Sequence, residues 1–278
     1  LTSSTQTMSE DELVKKINFF ISLIEASSDY KDIWITQREV KDMISKTEKL
    51  GFIKPTLIAS KKVYRPTSDE VATLSFYKNN IAHVFILYSL ICESLKFVKK
   101  ASKEEIVKLI EMIHPIFAKD FHLKNEIITQ ESIGDAIHIL KNKGILMADD
   151  DGNVMAPLEN SIVFQDYVAL SNLCEPSLKR FYIVMNTIWK NETILKDDLN
   201  IKCKKLAEDL EKIEGWPYPE FSDKAKFDNF VYMMKETKFF KEDKDGRLTA
   251  SKITKRAKKL YDQFFDKDFL EFIERQTN

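Results

Sequence analysis

Apolar residues are nearly continuous from residue 74 to residue 95. Leu74, Tyr77, Ile81, Val84, Tyr88, Ile91 and Leu95 recur at three- and four-residue steps, and Phe76, Phe85, Leu87 and Leu90 widen the stripe. A helix apolar on most sides is a buried one, so the spacing predicts one long central helix here. Asn79, Asn80 and His83 interrupt it within one turn of each other. Buried polar groups need partners, so this spot either ties the helix to neighbouring loops or faces a partner domain or ligand.

The rest of the chain alternates helical periodicity with short strand pairs. Ser9 and Glu12 form a capping box before Leu13, Ile17, Phe20, Ile21 and Ile24, a helix that should end near Ser27. Ile33-Trp34-Ile35 reads as a short strand. Thr36 with Glu39 then caps a helix through Val40, Ile44 and Leu50 that Gly51 terminates. Phe52-Ile53 and Val63-Tyr64, with a break at Pro55, read as a hairpin, after which Thr67 and Glu70 cap the long apolar helix. Ser102 and Glu105 open a helix through Ile106, Ile110, Ile113 and Phe117, kinked at Pro115. A helix over 130–143 ends at Gly144, and Ile145-Leu146-Met147 and Val154-Met155 flank the turn Asp151-Gly152-Asn153. Helices are expected over 158–174 and 178–190, separated by Glu175-Pro176, and then over 201–213. Gly215-Trp216-Pro217-Tyr218-Pro219 breaks the chain. A helix over 224–238, a hairpin of Phe239-Phe240 and Arg247-Leu248 about Asp245-Gly246, and a helical tail over 253–273 complete it.

In three places a helix runs into an apolar pair, a polar turn and a second short strand, which is the order of winged-helix units. The expected fold is mostly α, a multi-helical domain with small β-hairpins in winged-helix-like units. Three segments are expected: 1–66, winged-helix-like; 67–190, a central helical domain with the Asn-Asn-His helix and the second hairpin; and 191–278, helical and winged-helix-like. Six Gly and seven Pro in 278 residues also favour helix over a turn-rich β fold.

Charge narrows the function less than it narrows the surface. With 43 basic and 44 acidic residues the formal net charge is −1, so bulk electrostatics gives no reason to expect nucleic-acid binding. Cys92, Cys174 and Cys203 are widely spaced, with no Cys-x-x-Cys pair, and read as reduced intracellular thiols. No segment reaches the roughly 20 apolar residues of a spanning helix, and the Ser/Thr-rich, then acidic opening residues do not read as a secretory signal. The chain opens on Leu1, so a soluble fragment of a longer protein is expected.

Candidate chemistry is sparse. Neither Gly-x-Gly-x-x-Gly nor Gly-Lys-Ser/Thr occurs, and no nucleophile, base and acid can be grouped. His114, Asp120 and His122 are close in sequence, but Pro115 and their spacing do not put three ligands on one helical face, so neither a metal nor a cofactor is expected. His138 reads as a core-edge residue. Lys252, Lys255, Arg256, Lys258 and Lys259 make either a solvated helix face or a contact for anionic lipid or phosphate. Asp262, Asp266 and Asp268 weaken its potential.

Phe76-Tyr77-Lys78-Asn79-Asn80-Ile81-Ala82-His83 resembles the Tyr-Tyr-Arg-Asn-Asn-Ile-x-His segment in the C-terminal region of bacterial membrane glycerol-3-phosphate acyltransferases. Two further pieces are similar in order. They are His114-Pro115-Ile116-Phe117-Ala118-Lys119-Asp120-Phe121 and Phe221-Ser222-Asp223-Lys224-Ala225-Lys226-Phe227. The resemblance spans roughly residues 71–241; animal glycerol-phosphate and dihydroxyacetone-phosphate acyltransferases carry related regions, so the C-terminal region of a dihydroxyacetone-phosphate acyltransferase is an alternative within the class. It implies a parent enzyme that moves a fatty acyl group from acyl-CoA or acyl-carrier protein to the sn-1 hydroxyl of glycerol 3-phosphate, on the cytoplasmic side of the inner membrane.

That family's catalytic signature is His, four residues, then Asp, in which the imidazole takes the acceptor's proton. Five residues after the four histidines stand Tyr88, Lys119, Ile127 and Lys143. No catalytic residue can therefore be carried over, and the chain alone is expected to be inactive. The resemblance casts Tyr77, Asn79, Asn80 and His83 as a structural or interface cluster, and the acyltransferase domain as the partner. Two rivals remain. One is a winged-helix nucleic-acid-binding or adaptor protein, opposed by the balanced charge and the mixed-sign helix over 38–49. The other is a lipid-surface module using Lys252 to Lys259.

Overall fold

The computed structural model describes residues 7–27, 30, 33, 35, 39–66, 70–123, 128–214 and 221–277. The expected strand about Trp34, the capping boxes that rest on Thr36 and Thr67, and the break at 215–219 lie outside them. The chain opens with β1 (Met8–Ser9), α1 (Glu10–Ala26), α2 (Val40–Lys49), β2 (Ile53–Ile58) and β3 (Lys61–Pro66). Next come α3 (Val71–Ala82) and α4 (Ile86–Leu95). Then follow β4 (Lys100–Ala101), α5 (Lys103–Asp120), α6 (Gln130–Asn142), β5 (Met147–Ala148) and β6 (Val154–Met155). α7 (Phe164–Ser171) and α8 (Glu175–Lys190) separate them from β7 (Ile194–Leu195), α9 (Lys196–Glu214), α10 (Lys224–Glu236), β8 (Phe240–Glu242) and β9 (Arg247–Ala250). The chain closes with α11 (Lys252–Tyr261) and α12 (Lys267–Thr277). The fold is mostly α, and the described sheets are three small antiparallel ones.

The same strand–helix–helix–hairpin order occurs three times, beginning at Met8, Lys100 and Ile194. In each sheet the leading strand pairs with the last strand of the hairpin, giving the orders β1-β3-β2, β4-β6-β5 and β7-β9-β8. The leading strands are two residues long. Too short for any periodicity, they close the sheets without appearing in the hydrophobic pattern.

Local signals explain most helix ends. Ser9 and Glu12 make the expected capping box on α1, and Ser102 and Glu105 make it on α5. Gly51 ends the turn after α2 at φ +81°. Elsewhere the sequence expectation needs correction. Residues 74–95 are not one helix: the chain breaks at 83–85 between α3 and α4. Pro55 does not break the first hairpin, because it sits inside β2 opposite Tyr64. Residues 158–163 are not helical, and α7 begins only at Phe164. Glu175-Pro176 opens α8 rather than separating two helices, since proline is tolerated in a first turn.

The core has two parts. A small one, Leu13, Ile44, Ile53 and Tyr64, holds the first unit together. A large one runs from Leu23 to Ile273 and takes in the second and third units with α4, α7 and α8. Helix α1 joins them. Its first half (Leu13, Val14, Ile17) faces the small core, and its second half (Phe19, Phe20, Leu23, Ile24) packs on the large one. The innermost elements are α4, buried at every position but Leu87, and α8, buried without interruption from Pro176 to Ile188. Each fully buried large aliphatic or aromatic side chain contributes about 1.5–3 kcal/mol over an exposed one. These two helices thus carry a large share of the folding drive. The three cysteines are buried thiols.

The turn of the first hairpin is a two-residue loop in which Ala59 and Ser60 have φ of 48° and 64°. That geometry favours Asn-Gly, and a left-handed conformation costs a β-carbon-bearing residue about 1–2 kcal/mol. Ala59→Asn combined with Ser60→Gly should stabilise the protein by about 1 kcal/mol in a urea melt. An unchanged or lower midpoint would show that the turn is not strained.

Candidate functional site

The Tyr77, Asn79, Asn80 and His83 segment lies on the outside of the molecule. A helix this apolar should be buried on most sides, yet only α4 meets that description. On α3, Phe76 is 62% exposed, Tyr77 53% and Ile81 57%, and Asn79 and Asn80 are exposed with them. The inner face of α3 turns Ser75 and Ala82 to the interior. Tyr77 bridges two rings edge-on, Phe76 at 5.9 Å and Phe52 at 5.8 Å, so α3 and the residue just before β2 share one aromatic surface. His83 is half-buried at the break after α3. Its carbonyl accepts a hydrogen bond from the Tyr30 hydroxyl at 3.2 Å, and its ring meets that of Tyr30 at 6.1 Å. The segment is therefore an exposed aromatic and amide face, anchored at its end by a backbone contact. Exposed apolar surface of this kind marks interaction sites.

The other two matching segments are brought together inside the protein. Asp120 at the end of α5 and Phe221 just before α10 both meet α8, while Phe117 and Phe227 of the same segments are buried. Ser177 donates from Oγ to Asp120 Oδ2 at 3.1 Å and accepts from Arg180 Nη2 at 3.0 Å. The Arg180 guanidinium lies over the rings of Phe230 (5.5 Å) and Phe221 (6.0 Å). Asp223 caps α10 through Ala225 N. These residues assemble a buried joint between α5, α8 and α10, apart from the α3 face.

A second buried polar group has no counterpart in the sequence reading. Lys96 Nζ, just after α4, lies 2.9 Å from Glu175 Oε2, 3.6 Å from Glu93 Oε1 and 3.2 Å from Asn172 Oδ1. Lys179 Nζ completes the cluster 3.2 Å from Glu175 Oε1 and stacks over Phe269 at 5.1 Å. Around it, Ser89 Oγ donates to the Ser171 carbonyl and accepts from Cys174 N, and the Tyr167 hydroxyl donates to the Cys92 carbonyl. Burial pushes the Glu93 carboxyl up to about 8, and Lys96 only partly offsets this. The two lysines hold the Glu175 carboxyl below its usual range despite its burial. A glutamate inside the apolar run, three residues before a lysine, was the available signal.

His114 is buried on α5 and His122 is exposed after it, and no group of metal-binding side chains occurs among the described residues. On α11, Lys252, Arg256 and Lys259 are exposed. Lys258 is held in ion pairs with Asp262 (3.5 Å) and Glu274 (3.3 Å), and the Lys255 side chain lies outside the described residues. Among the described residues no helix is long and apolar enough to cross a membrane.

A family profile described as "Glycerol-3-phosphate acyltransferase C-terminal region" matches residues 1–243. Curated relatives named glycerol-3-phosphate acyltransferase include one from Alteromonas mediterranea, 29% identical over 255 residues. Others come from Pseudoalteromonas atlantica, 24% identical over 257 residues, and Pseudomonas syringae, 20% identical over 251. The alignments cover 90%, 90% and 88% of this chain but 31%, 31% and 30% of the relatives. The chain therefore spans about a third of the length of the relatives it matches. These matches favour neither the dihydroxyacetone-phosphate alternative nor the nucleic-acid or adaptor reading.

The Glu93 site predicts a signed pH dependence. Its folded-state pKa of about 8 lies above the ordinary 4.5, so between those values the folded protein binds more protons than the unfolded chain. Its contribution to stability is complete below the lower value and is lost as pH rises toward the upper one. Urea melts of wild type and Glu93→Gln should diverge across that window, with wild type losing up to about 1 kcal/mol per pH unit relative to the variant. Parallel curves would show that Glu93 ionises normally.

Proposed function

The chain belongs to the family of glycerol-3-phosphate acyltransferase C-terminal regions, and on that premise we propose that it is a non-catalytic support for an acyltransferase domain. The reaction served is transfer of a fatty acyl group from acyl-CoA or acyl-carrier protein to the sn-1 hydroxyl of glycerol 3-phosphate, in phospholipid synthesis on the cytoplasmic side of the inner membrane.

The observation that carries this reading is the exposed face of α3. Phe76, Tyr77 and Ile81 stand in solvent on the segment that most resembles the family, in a region spanning 31% of its relatives. An aromatic patch rimmed by amides fits a protein interface better than a reaction centre, because it supplies area and hydrogen bonds to bury while Tyr88, not an acid, stands five residues after His83. The partner proposed is the acyltransferase portion that the remaining length of such relatives leaves room for. Packing against it would orient and stabilise that portion, while the joint at Arg180 and the cluster at Glu93 keep the platform rigid.

The purified chain should release no CoA when supplied with acyl-CoA and glycerol 3-phosphate; turnover would overturn the non-catalytic assignment. In a protein that carries this region behind a family acyltransferase domain, a photo-crosslinking amino acid at Tyr77 should capture peptides of that domain, whereas one at Asp245 on the third hairpin should not. Capture at Asp245 alone would move the interface off α3.

A further inference from the structure

The first hairpin carries a second exposed feature, which does not rest on the α3 reading. Ile53 and Tyr64 at its base belong to the small core, but residues 54–62 are exposed on both faces of the ribbon. Leu57 is 75% exposed and Ile58 52%, at the end of a strand that carries them about 13 and 17 Å beyond Ile53. The register sets Leu57 opposite Lys62 and Ile58 opposite Lys61, so each face of the tip bears one large apolar side chain beside one cation. β1 pairs with β3 only at Val63 and Tyr64, so beyond them the tip is a two-stranded ribbon exposed on both faces, which is marginal in water.

The charge on the ribbon is one-sided. Residues 53–66 hold Lys54, Lys61, Lys62 and Arg65 and no acid, in a chain that as a whole has 43 basic and 44 acidic residues. Lys62 is paired with Glu48 of α2 at 2.9 Å. Lys54, Lys61 and Arg65 are exposed around the shaft.

We propose that the β2–β3 tip is a membrane-surface anchor, in which Leu57 and Ile58 enter the interface of an anionic bilayer while Lys54, Lys61 and Arg65 meet lipid phosphates. A narrow convex tip buries little against protein unless a matching pit awaits it, whereas a bilayer interface admits it anywhere. Lysine and arginine stems extend along apolar material and keep their charge at headgroup level. An anionic surface also complements a ribbon without acids. Such an anchor is peripheral and reversible.

The test uses the purified chain with phosphatidylcholine vesicles, with and without phosphatidylglycerol, and no acyltransferase domain, so its outcome is independent of the α3 interface. Co-sedimentation should require phosphatidylglycerol and weaken with salt. Leu57→Ser with Ile58→Ser should reduce it about tenfold or more, with unchanged far-ultraviolet circular dichroism because both side chains are exposed. Leu57→Cys can be labelled selectively with an environment-sensitive dye, since Cys92, Cys174 and Cys203 are fully buried. Its emission should shift to the blue when anionic vesicles are added. Absence of binding, binding untouched by the tip variant, or binding abolished instead by Arg256→Glu with Lys259→Glu would overturn the proposal. So would a dye that ignores vesicles but responds to an added acyltransferase domain, which would make the tip a protein contact.

Discussion

Helices α4 and α8 are buried on nearly every side and still hold ionisable side chains, a glutamate that burial keeps protonated at neutral pH on α4 and paired ions on α8, and the rest of the fold has to accommodate that. Apolar burial drives them inward, but Glu93, Glu175, Lys179 and Arg180 are taken out of water with them. Buried ions are tolerated only when paired and hydrogen-bonded, and removing one partner of such a pair typically costs about 3–5 kcal/mol. α4 and α8 therefore fix one another's position through Lys96, which reaches both Glu93 and Glu175. The α5–α8–α10 joint follows the same rule, with Ser177 linking Asp120 to Arg180 and two phenylalanine rings covering the guanidinium. The C-terminal helices close over α8 as well. Tyr182 donates to Asp262 and Asn186 donates to Thr277, while Tyr261 donates to the Leu109 carbonyl and so ties α11 to α5.

The α3 face and the first hairpin are among the features that face outward from this centre. Both belong to or adjoin the first unit, whose own core is only four buried residues. A small unit joined to a large core by α1 can present surface without being asked to supply stability. That division matches a supporting role: the interior is specified by buried polar pairs, and the exposed apolar residues are left for contacts made elsewhere.

The sequence made the helices legible because apolar residues recur at three- and four-residue steps and because Ser9 and Ser102 open their helices with capping boxes. The break at 83–85 was not legible, since Val84 and Phe85 continue the apolar run and neither glycine nor proline marks it. The same continuity hid the functional contrast. Phe76, Tyr77 and Ile81 look like core residues in the pattern and are surface residues in the fold. Periodicity reports which residues share a face, but it does not say whether that face meets the protein's own core. The two-residue leading strands were invisible for want of length. The α5–α8–α10 joint was hidden because its partners are distant in sequence: Asp120 and Ser177 lie 57 residues apart. The Asn-Asn-His segment stood out in the pattern as a polar interruption and the resemblance made it a structural or interface cluster, but only the structure put Asn79 and Asn80 outside.

The most direct measurement of the central claim is amide hydrogen exchange along residues 71–83. It should be compared between this region alone and the same region within a protein that also carries the family's acyltransferase domain. Docking through α3 predicts that exchange there slows markedly in the larger protein, while α4 and α8 stay equally protected in both. Unchanged exchange at residues 71–83, with new protection elsewhere on the surface, would contradict it.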